Sequence, residues 1–363
     1  MTRVLIVDDS ALMRRHLKDI LERRCGCEVM LARNGVEGLA ALESFDPDVI
    51  TLDINMPEMD GLTCVSRIMT LRPKPVVMVS SLTENGAEAT FQALALGAVD
   101  YIHKPEGTIS LNVDRIEQEI IDKVAAATQA RLRRARGLAG RVRSAARAAA
   151  PAPAVAPPPP GECGLVIIGV STGGPGTLEE ILPALPANFP WPVVVAQHMP
   201  GSFTAVFARR LDAMCQVRVV EASGQMPLEP GVVYIAKGDA DMVVGRRATR
   251  SVVNPMPSGP QFLWHPSVAR LVESALHTFA PDRLIGVLLT GMGDDGAAAM
   301  TEVKRRGGRT IAQDEASCVI FGMPGELVRR GGANLVLPAD RIALQLTSWL
   351  AVREEGRRGA RQT

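Results

Sequence analysis

The stretch LVIIGVSTGGPG, residues 165–176, has the pattern of a buried strand that turns sharply into a helix. Apolar residues lead into Gly169, and the small residues around Ser171 permit a tight turn at the end of the strand. Three kinds of site begin in this way: a dinucleotide-binding loop, a phosphate-binding P-loop, and a turn that presents a nucleophilic serine. The residue types and their spacing decide among the three.

The spacing of the glycines argues against both nucleotide-binding motifs. A dinucleotide fingerprint needs G-x-G-x-x-G, but Ser171 stands two positions after Gly169, where the second glycine should be. A P-loop needs Gly-Lys followed by Ser or Thr, and residues 164–200 contain no lysine. Residues 169–173 (GVSTG) instead match G-x-S-x-G, in which small neighbours let the turn lift a serine out of the sheet edge. Ser171 is therefore the predicted nucleophile.

A serine nucleophile needs a base, and the sequence offers few histidines. His198 follows the buried-strand pattern PVVVAQ (192–197), so it is expected at a strand end, as Ser171 is, and it is the predicted base. His265 precedes a predicted helix and is expected to cap or pack. His277 lies near the end of that helix, where a cation favours the helix dipole, and is expected on the surface.

The acid that orients the imidazole is expected in RLIGVLLTGMGDDGAAAM (283–300), a strand followed by glycines and a helix. Asp294 and Asp295 are both candidates, and either is also a plausible helix cap, so spacing alone does not choose between them. The chain order serine, histidine, aspartate differs from the serine, aspartate, histidine order of α/β-hydrolases. The motif therefore predicts a different α/β fold.

The first part of the chain carries a second set of strand-end residues. Buried-strand patterns at 4–7, 48–53, 75–81 and 98–105 alternate with helical patterns, which predicts a doubly wound parallel sheet. Ligands of such sheets bind at the carboxyl ends of the strands. The residues expected there are Asp8, Asp9, Asp53, Ser80 and Lys104.

These residues predict a phosphorylation site. Three carboxylates at one edge repel each other, so a cation is needed, and an all-oxygen ligand set suits Mg²⁺. A lysine and a hydroxyl on the other side would bind phosphoryl oxygens, so the pocket fits an aspartyl phosphate. A single strand-end aspartate is more often a helix cap, but five matching positions make that explanation poor.

Residues 1–122 resemble the receiver domain of two-component response regulators, a flavodoxin-like fold. The resemblance implies phosphorylation of Asp53 by a histidine kinase, with phosphoryl contacts from Ser80 and Lys104 and an aromatic switch residue at Tyr101. It further implies Mg²⁺ ligands from Asp8, Asp9, Asp53 and the backbone carbonyl of Asn55. Many relatives carry an acidic residue at position 55, and the backbone ligand implies little effect of that difference.

The segments IGVSTGG, AQHMPGSFT, LLTGMGDDG and FGMPGE together resemble the catalytic domain of CheB-type protein-glutamate methylesterases, a Rossmann-like fold. The resemblance implies Ser171 as nucleophile, His198 as base and Asp295 as orienting acid. It also implies an oxyanion contact from the backbone N–H of Met292. The amide of Thr172, just after the serine at a helix N-terminus, is a further oxyanion candidate on physical grounds.

The resemblance implies a phosphorylation-activated serine hydrolase of sensory adaptation in chemotaxis. It would release methanol from glutamate methyl esters on chemoreceptor helices and deamidate receptor glutamines, with the unphosphorylated receiver covering the cleft. Two alternatives stay open: a non-catalytic response regulator whose second domain docks on a partner, and a general small-ester hydrolase. A nucleic-acid-binding version of the first is disfavoured, because the second domain has no helix-turn-helix pattern and no basic recognition face.

Charge and composition divide the chain of 363 residues. Residues 1–122 hold 12 Lys and Arg against 20 Asp and Glu, whereas 123–161 hold eight basic residues and no acid and end in PAPAVAPPPP. Such a segment predicts an Arg/Ala/Pro-rich, solvated linker between two domains, although its arginines would also suit nucleic acid or acidic lipid. The predicted catalytic domain is 162–352 and the tail is 353–363.

Other features predict a cytoplasmic protein. The longest apolar runs are far shorter than the ~20 residues that a membrane span needs, and MTRVLIVDDS has the pattern of a first strand rather than of a signal peptide. The six cysteines show no C-x-x-C spacing, which favours reduced thiols. No nucleic-acid partner and no membrane insertion are expected.

Overall fold

The computed structural model describes residues 1–81, 83–104, 113–132 and 163–360. The chain forms two compact units, Met1–Gly137 and Leu138–Thr363. Most of the predicted linker, including PAPAVAPPPP, lies outside the described residues. No described helix is both long enough and apolar enough to pass through a lipid bilayer.

In the described part of the first unit, five parallel strands alternate with helices, and the strand order is β2-β1-β3-β4-β5. This order confirms the predicted doubly wound, flavodoxin-like sheet. The strands are β1 (Arg3–Val7), β2 (Glu28–Ala32), β3 (Val49–Asp53), β4 (Val76–Ser80) and β5 (Asp100–His103), and the helices are α1 (Ala11–Cys25), α2 (Gly35–Phe45), α3 (Gly61–Leu71), α4 (Glu84–Leu96) and α5 (Val113–Thr128).

The sequence pattern of each strand follows its place in the sheet. The central strands β3 and β4 are buried along their whole length, because helices cover both faces. The edge strand β2 has the sequence EVMLA and exposes Glu28 and Leu31, so it lacks the continuous apolar pattern. The chain reverses direction across the sheet between β1 and β3, which places Asp8 and Asp53 at the topological switch point.

The second unit contains, among its described residues, a seven-stranded parallel sheet of order β15-β14-β13-β6-β7-β10-β8. After β6, the chain first adds β7, β8 and β10 on one side of it and later adds β13, β14 and β15 on the other side. The strand β6 therefore lies at the topological switch point of the sheet. Its elements are β6 (Leu165–Val170), α6 (Gly174–Ile181), β7 (Val193–Gln197), α7 (Gly201–Asp212), β8 (Arg218–Ala222), β9 (Met226–Pro227), β10 (Val232–Ala236), β11 (Ala240–Arg247), β12 (Arg250–Pro257), α8 (Val268–Thr278), β13 (Leu284–Leu288), α9 (Ala297–Arg305), β14 (Arg309–Gln313), α10 (Met323–Arg329), β15 (Leu335–Leu337) and α11 (Ala339–Ala360).

A small antiparallel sheet, with the order β11-β12-β9, adds to the predicted architecture. The hairpin of β11 and β12 pairs Arg247 with Arg250, so its turn is Ala248-Thr249. Ala248 has a φ of 51°, in the left-handed region that Asn or Gly usually occupies in such turns. The sequence therefore lacks the dipeptide that would have predicted this hairpin.

Two helices extend across the predicted domain boundaries. Helix α5 continues to Thr128, past residue 122, and the backbone of α11 continues to Ala360, past residue 352. The domain boundaries at 122, 161 and 352 stay predictions.

Candidate active site

Ser171 directly follows β6 and is fixed by its backbone. Its N–H donates to the carbonyl oxygen of Thr290 at 3.0 Å, and its own carbonyl accepts from the N–H of Gly174 at 2.8 Å. Gly173 has a φ of 76°, so the turn into α6 uses a conformation that L side chains rarely adopt. The G-x-S-x-G segment therefore makes the tight strand-to-helix turn that its spacing predicts.

His198 lies beside Ser171 at the same edge of the sheet. Val170 pairs with Gln197, and the N–H of His198 donates to the carbonyl oxygen of Val170 at 3.1 Å. The imidazole Nε2 is 2.9 Å from Oδ2 of Asp295. The other ring nitrogen, Nδ1, is buried and has no hydrogen-bond partner among the described residues. Since the carboxylate occupies Nε2, Nδ1 is the nitrogen left to accept a proton.

Asp295 binds both the imidazole and the N-terminus of helix α8. Its carboxylate accepts hydrogen bonds from the N–H groups of Val268 and Ala269 at 2.8 and 2.9 Å, and from Oγ of Ser267 at 3.3 Å. Burial alone would raise the pKa of Asp295, but the hydrogen bond and charge of His198, with the two amides, lower it below its usual value. The structure thus brings Asp295 to His198, whereas Asp294 is exposed.

Trp264 lies against the predicted base and was missed by the sequence analysis. Its indole stacks on the imidazole of His198 with ring centroids 5.5 Å apart and an interplanar angle of 10°. An aromatic face at this distance favours a cationic ring over a neutral one. The loop QFLWHP carries no motif that distinguishes this tryptophan from a packing residue, so no sequence signal pointed to it.

The loop after β13 passes directly over Ser171. A Cβ on Gly291 would lie 2.7 Å from Cβ of Ser171, so only glycine allows this approach. The next residue is Met292, and the carbonyl of Gly291 is held by the N–H of Met323 at 2.9 Å. On the other side, the carbonyl of Thr172 accepts from Oγ1 of Thr290 at 2.9 Å. Thr172 therefore follows Ser171 directly, and Met292 follows the glycine that approaches Ser171. The oxyanion roles of both residues stay predictions.

The other two histidines of this unit contact other groups. His265 Nδ1 is 2.8 Å from Oδ1 of Asp241, whose other oxygen accepts from Arg270 at 2.7 Å. This buried cluster also receives the N–H of Ser267, and so helps to fix the start of α8. His277 is exposed, with Nδ1 2.7 Å from the carbonyl oxygen of Glu273 one turn earlier.

The first unit brings its predicted charged residues together. Lys104 Nζ lies 2.7 Å from Oδ2 of Asp53 and 3.2 Å from Oδ2 of Asp8. Asp8, Asp9 and Asp53 each place one carboxylate oxygen within 4.8 Å of the other two. Burial raises the pKa of Asp53, and the negative charge of Asp8 raises it further against the opposing effect of Lys104. This all-oxygen, mutually repelling set fits Mg²⁺.

The other residues predicted for the phosphorylation site contact backbone groups or neighbouring side chains. The N–H of Asn55 donates to Oδ1 of Asp53 at 3.4 Å. The hydroxyl of Ser80, at the end of β4, is buried and donates to the carbonyl oxygen of Gly86 at 3.1 Å. Tyr101 is buried on β5, with Lys123 Nζ 4.6 Å from the centre of its ring. The phosphoryl-contact and switch roles stay predictions.

The first unit holds a cluster of carboxylates with a lysine at its sheet edge, and the second holds His198 against Asp295 beside the strand end of Ser171. The class of protein in which these two arrangements occur together is a response regulator with a hydrolase as its output domain. Comparison with known proteins agrees. Residues 4–114 match the response regulator receiver domain, and residues 166–346 match the CheB methylesterase model. The chain belongs to the CheB methylesterase family.

Whole-length relatives carry one name. The chain is 73% identical to protein-glutamate methylesterase/protein-glutamine glutaminase 3 of Rhodospirillum rubrum, over 98% of each chain. It is 45% identical to the protein of the same name from Vibrio cholerae, over 90% of this chain and 91% of the other. The catalytic domain of Thermotoga maritima CheB methylesterase superposes with a TM-score of 0.50 at 39% identity, covering 52% of this chain and 99% of that structure. These relatives support an enzyme and not a non-catalytic docking domain.

Proposed function

We propose that the chain removes methyl esters from glutamates of chemoreceptors, deamidates receptor glutamines, and is activated by phosphorylation of Asp53. The observation that carries the proposal is the 2.9 Å contact of His198 Nε2 with Asp295, at the strand end beside Ser171. The names of the whole-length relatives supply the substrate class. The test is methanol release from methylated receptor compared with release of a chromophore from a small ester. A preference for the small ester would favour the general-hydrolase alternative.

Acylation begins at Ser171. Its hydroxyl attacks the carbonyl carbon of the γ-glutamyl methyl ester while the proton passes to Nδ1 of His198, and a tetrahedral oxyanion forms. The N–H groups of Thr172 and Met292 are the proposed donors to that oxyanion. When the intermediate collapses, the C–O bond to the methoxy group breaks, His198 returns its proton, and methanol leaves.

Water completes the cycle. His198 takes a proton from water, the hydroxide attacks the acyl carbon, and Ser171 leaves with a proton while the receptor retains a glutamate carboxyl group. Deamidation follows the same course, with ammonia in place of methanol. Throughout, Asp295 holds the imidazole by Nε2 and stabilises its positive charge, which exists only while a proton is in transit.

The receiver supplies the proposed control. Asp8, Asp9, Asp53 and the carbonyl of Asn55 would hold Mg²⁺, which neutralises phosphoryl charge when it is bound. Lys104, already 2.7 Å from Asp53, would bind a phosphoryl oxygen. A phosphoryl group transferred from a histidine kinase adds about two negative charges at this edge. That change shifts the receiver between a state that inhibits the hydrolase and one that does not. Cytoplasmic location also stays part of the proposal.

Removal of the receiver is expected to activate the enzyme. Deletion of residues 1–150 should raise kcat/KM for methylated receptor to the level of the phosphorylated full chain, about 5–150-fold above the unphosphorylated chain, the usual range of coupling between sites. Methanol release measured with and without a small phosphodonor checks this. The full-length Asp53→Asn variant is the control and should stay at the low level. A truncated protein that is folded but inactive would remove the support for inhibition by the receiver.

Loss of the indole at position 264 is expected to slow the chemical step. In the transition state His198 carries a second proton, so its ring is a cation. Since cation–π contacts are worth ~0.5–2 kcal/mol, Trp264→Leu should lower kcat about 2–30-fold. Trp264→Phe, which keeps an aromatic face, should lose less. Trp349→Leu is the matched control, since that indole packs on Arg309, which begins β14, whereas Ser171 follows the end of the parallel strand β6. Equal kcat for Trp264→Leu and wild type would contradict this role.

A further inference from the structure

The side chain of Gln197 links the backbones of the two residues proposed as nucleophile and base. Gln197 ends β7, is 2% exposed and pairs in register with Val170, the residue before Ser171. Its Nε2 donates to the carbonyl oxygen of Ser171 at 3.0 Å and to that of His198 at 3.1 Å. A primary amide has two N–H donors on one nitrogen, and both are used here.

This link lies just beyond the last backbone hydrogen bond between β6 and β7. The last ladder bond between β6 and β7 runs from the N–H of His198 to the carbonyl of Val170. Beyond it, the first chain turns into α6 and the second runs into α7. The amide of Gln197 continues the connection one residue further, at the level of Ser171 and His198.

The hydrogen bond to Ser171 fixes the direction of a peptide group. The carbonyl of Ser171 accepts from Gln197 Nε2 and from the N–H of Gly174 at 2.8 Å. In a trans peptide, the carbonyl and the following N–H point in opposite directions. Fixing the carbonyl of Ser171 therefore fixes the direction of the N–H of Thr172, which is a proposed oxyanion donor.

Helix α6 leaves room for this amide. A Cβ on Gly174 would collide with Oε1 of Gln197, lie 3.0 Å from its Cδ and lie 2.6 Å from Cγ2 of Val170. Gly174 therefore permits the amide to reach the carbonyl of Ser171, which gives this glycine of the STGGPG motif a physical reason. By contrast, a Cβ on Gly176, in the same helix, would meet no atom within 4 Å.

An apolar side chain of the same size at position 197 would bury no unpaired polar atom. Oε1 of Gln197 is buried and lacks a hydrogen-bond partner in the described part of the chain, which is unfavourable. The amide is favoured over an apolar side chain only by the two hydrogen bonds that it donates. A carboxylate of the same shape would place oxygen against two carbonyl oxygens, so glutamate is not an equivalent.

We infer that Gln197 is a positioning residue of the hydrolytic site, which acts through the carbonyls of Ser171 and His198 and directs the N–H of Thr172. It does not touch the reacting atoms. The inference rests on the proposed function for the roles of those three residues.

The test uses the phosphorylated full-length chain with methylated receptor. Gln197→Met keeps the size and removes both donors, and it should lower kcat about 10²-fold, the scale of a small misplacement of reacting groups. KM should change little, because no substrate contact is lost. Thr310→Val is the matched control. It also removes buried hydrogen bonds, to Gly332 and Asn334 at the far end of β14, and should keep the wild-type kcat.

A second pair of variants leaves Gln197 in place. Gly174→Ala should displace the amide and lower kcat, whereas Gly176→Ala should not, and this pair decides the question if Gln197→Met does not fold. The inference is overturned if folded Gln197→Met has the wild-type kcat, if it falls no further than Thr310→Val, or if the two glycine variants behave alike.

A serine-directed fluorophosphonate separates this inference from the proposed function. Its rate of attachment to Ser171 reports the arrangement of the site without any receptor, and it should fall in Gln197→Met and Gly174→Ala. If wild type is labelled at Ser171 but releases no methanol from receptor, the proposed substrate is wrong, and the effect of Gln197 is still read from the labelling rate. An unchanged labelling rate in both variants would overturn the role of Gln197.

Discussion

Ser171→Ala is expected to lower kcat for methyl-ester hydrolysis about 10⁶-fold, the loss found when a nucleophilic serine of this type is removed. Alanine has no oxygen to attack the ester, and the backbone bonds that fix this position, from the N–H of residue 171 to Thr290 and from Gly174 to its carbonyl, do not involve the side chain. The variant should therefore fold as wild type does. Methanol release from methylated receptor, with the phosphorylated chain, is the measurement.

Ser202→Ala is the matched control for this prediction. Ser202 is the second residue of α7, the helix that follows the strand leading to His198. Its buried hydroxyl lacks a hydrogen-bond partner among the described residues. Removing that hydroxyl should leave kcat unchanged. A Ser171→Ala protein that retains kcat near wild type, or a Ser202→Ala protein that loses it, would show that the nucleophile has been assigned to the wrong residue.

Asp295→Asn is expected to lower kcat about 10⁴-fold, as in other sites where the orienting acid becomes an amide. Asp295 accepts at both of its oxygens: Oδ2 faces His198 and Val268, and Oδ1 faces Ala269 and Ser267. An NH₂ group facing Nε2 of His198 would force that nitrogen to be the acceptor and place the proton on Nδ1. The imidazole is then unable to take the serine proton.

The same replacement is expected to cost stability. In either orientation an amide NH₂ faces at least one N–H at the start of α8, and one unsatisfied buried group costs ~1–3 kcal/mol. The pKa of Asp295 is lowered in the folded protein, so its stabilising effect is present above the ordinary aspartate pKa and is lost as pH falls through the lowered value. Asp294→Asn, at the exposed neighbour, is the control for both kcat and the free energy of unfolding. Indistinguishable kcat values for the two variants would contradict the role of Asp295.

The sequence predicted the residues whose positions follow from strand order. Asp8, Ser171 and His198 each follow a strongly apolar strand and Asp53 ends one. Parallel strands present their carboxyl ends at one edge of the sheet. Spacing did not choose between Asp294 and Asp295, and the family resemblance implied Asp295. The physical reason for that choice needed coordinates, because it depends on which side chain turns back to the start of α8.

Other features depend on side-chain direction, which spacing does not encode. Gln197 was part of a predicted strand, yet its two bonds to carbonyl oxygens follow from the rotamer of a buried amide. The stack of Trp264 on His198 joins a loop to a strand end 66 positions earlier, with no motif around it. The hydroxyl of Ser80 was predicted at the phosphoryl site, and its hydrogen bond to Gly86 was not foreseen. The strand β2 lacks the continuous apolar pattern because, at the edge of the sheet, some of its side chains are exposed to solvent.

The covalent intermediate is the most direct test of the central claim, that Ser171, His198 and Asp295 form one hydrolytic site. The first turnover of the phosphorylated wild-type enzyme with methylated receptor, stopped by rapid quenching in acid, digested and analysed by mass spectrometry, should yield a receptor peptide joined by an ester to the peptide that contains Ser171. Its mass should be the sum of the two peptides less one methanol. Methanol release with no such ester, or with the ester on another residue, would contradict the account.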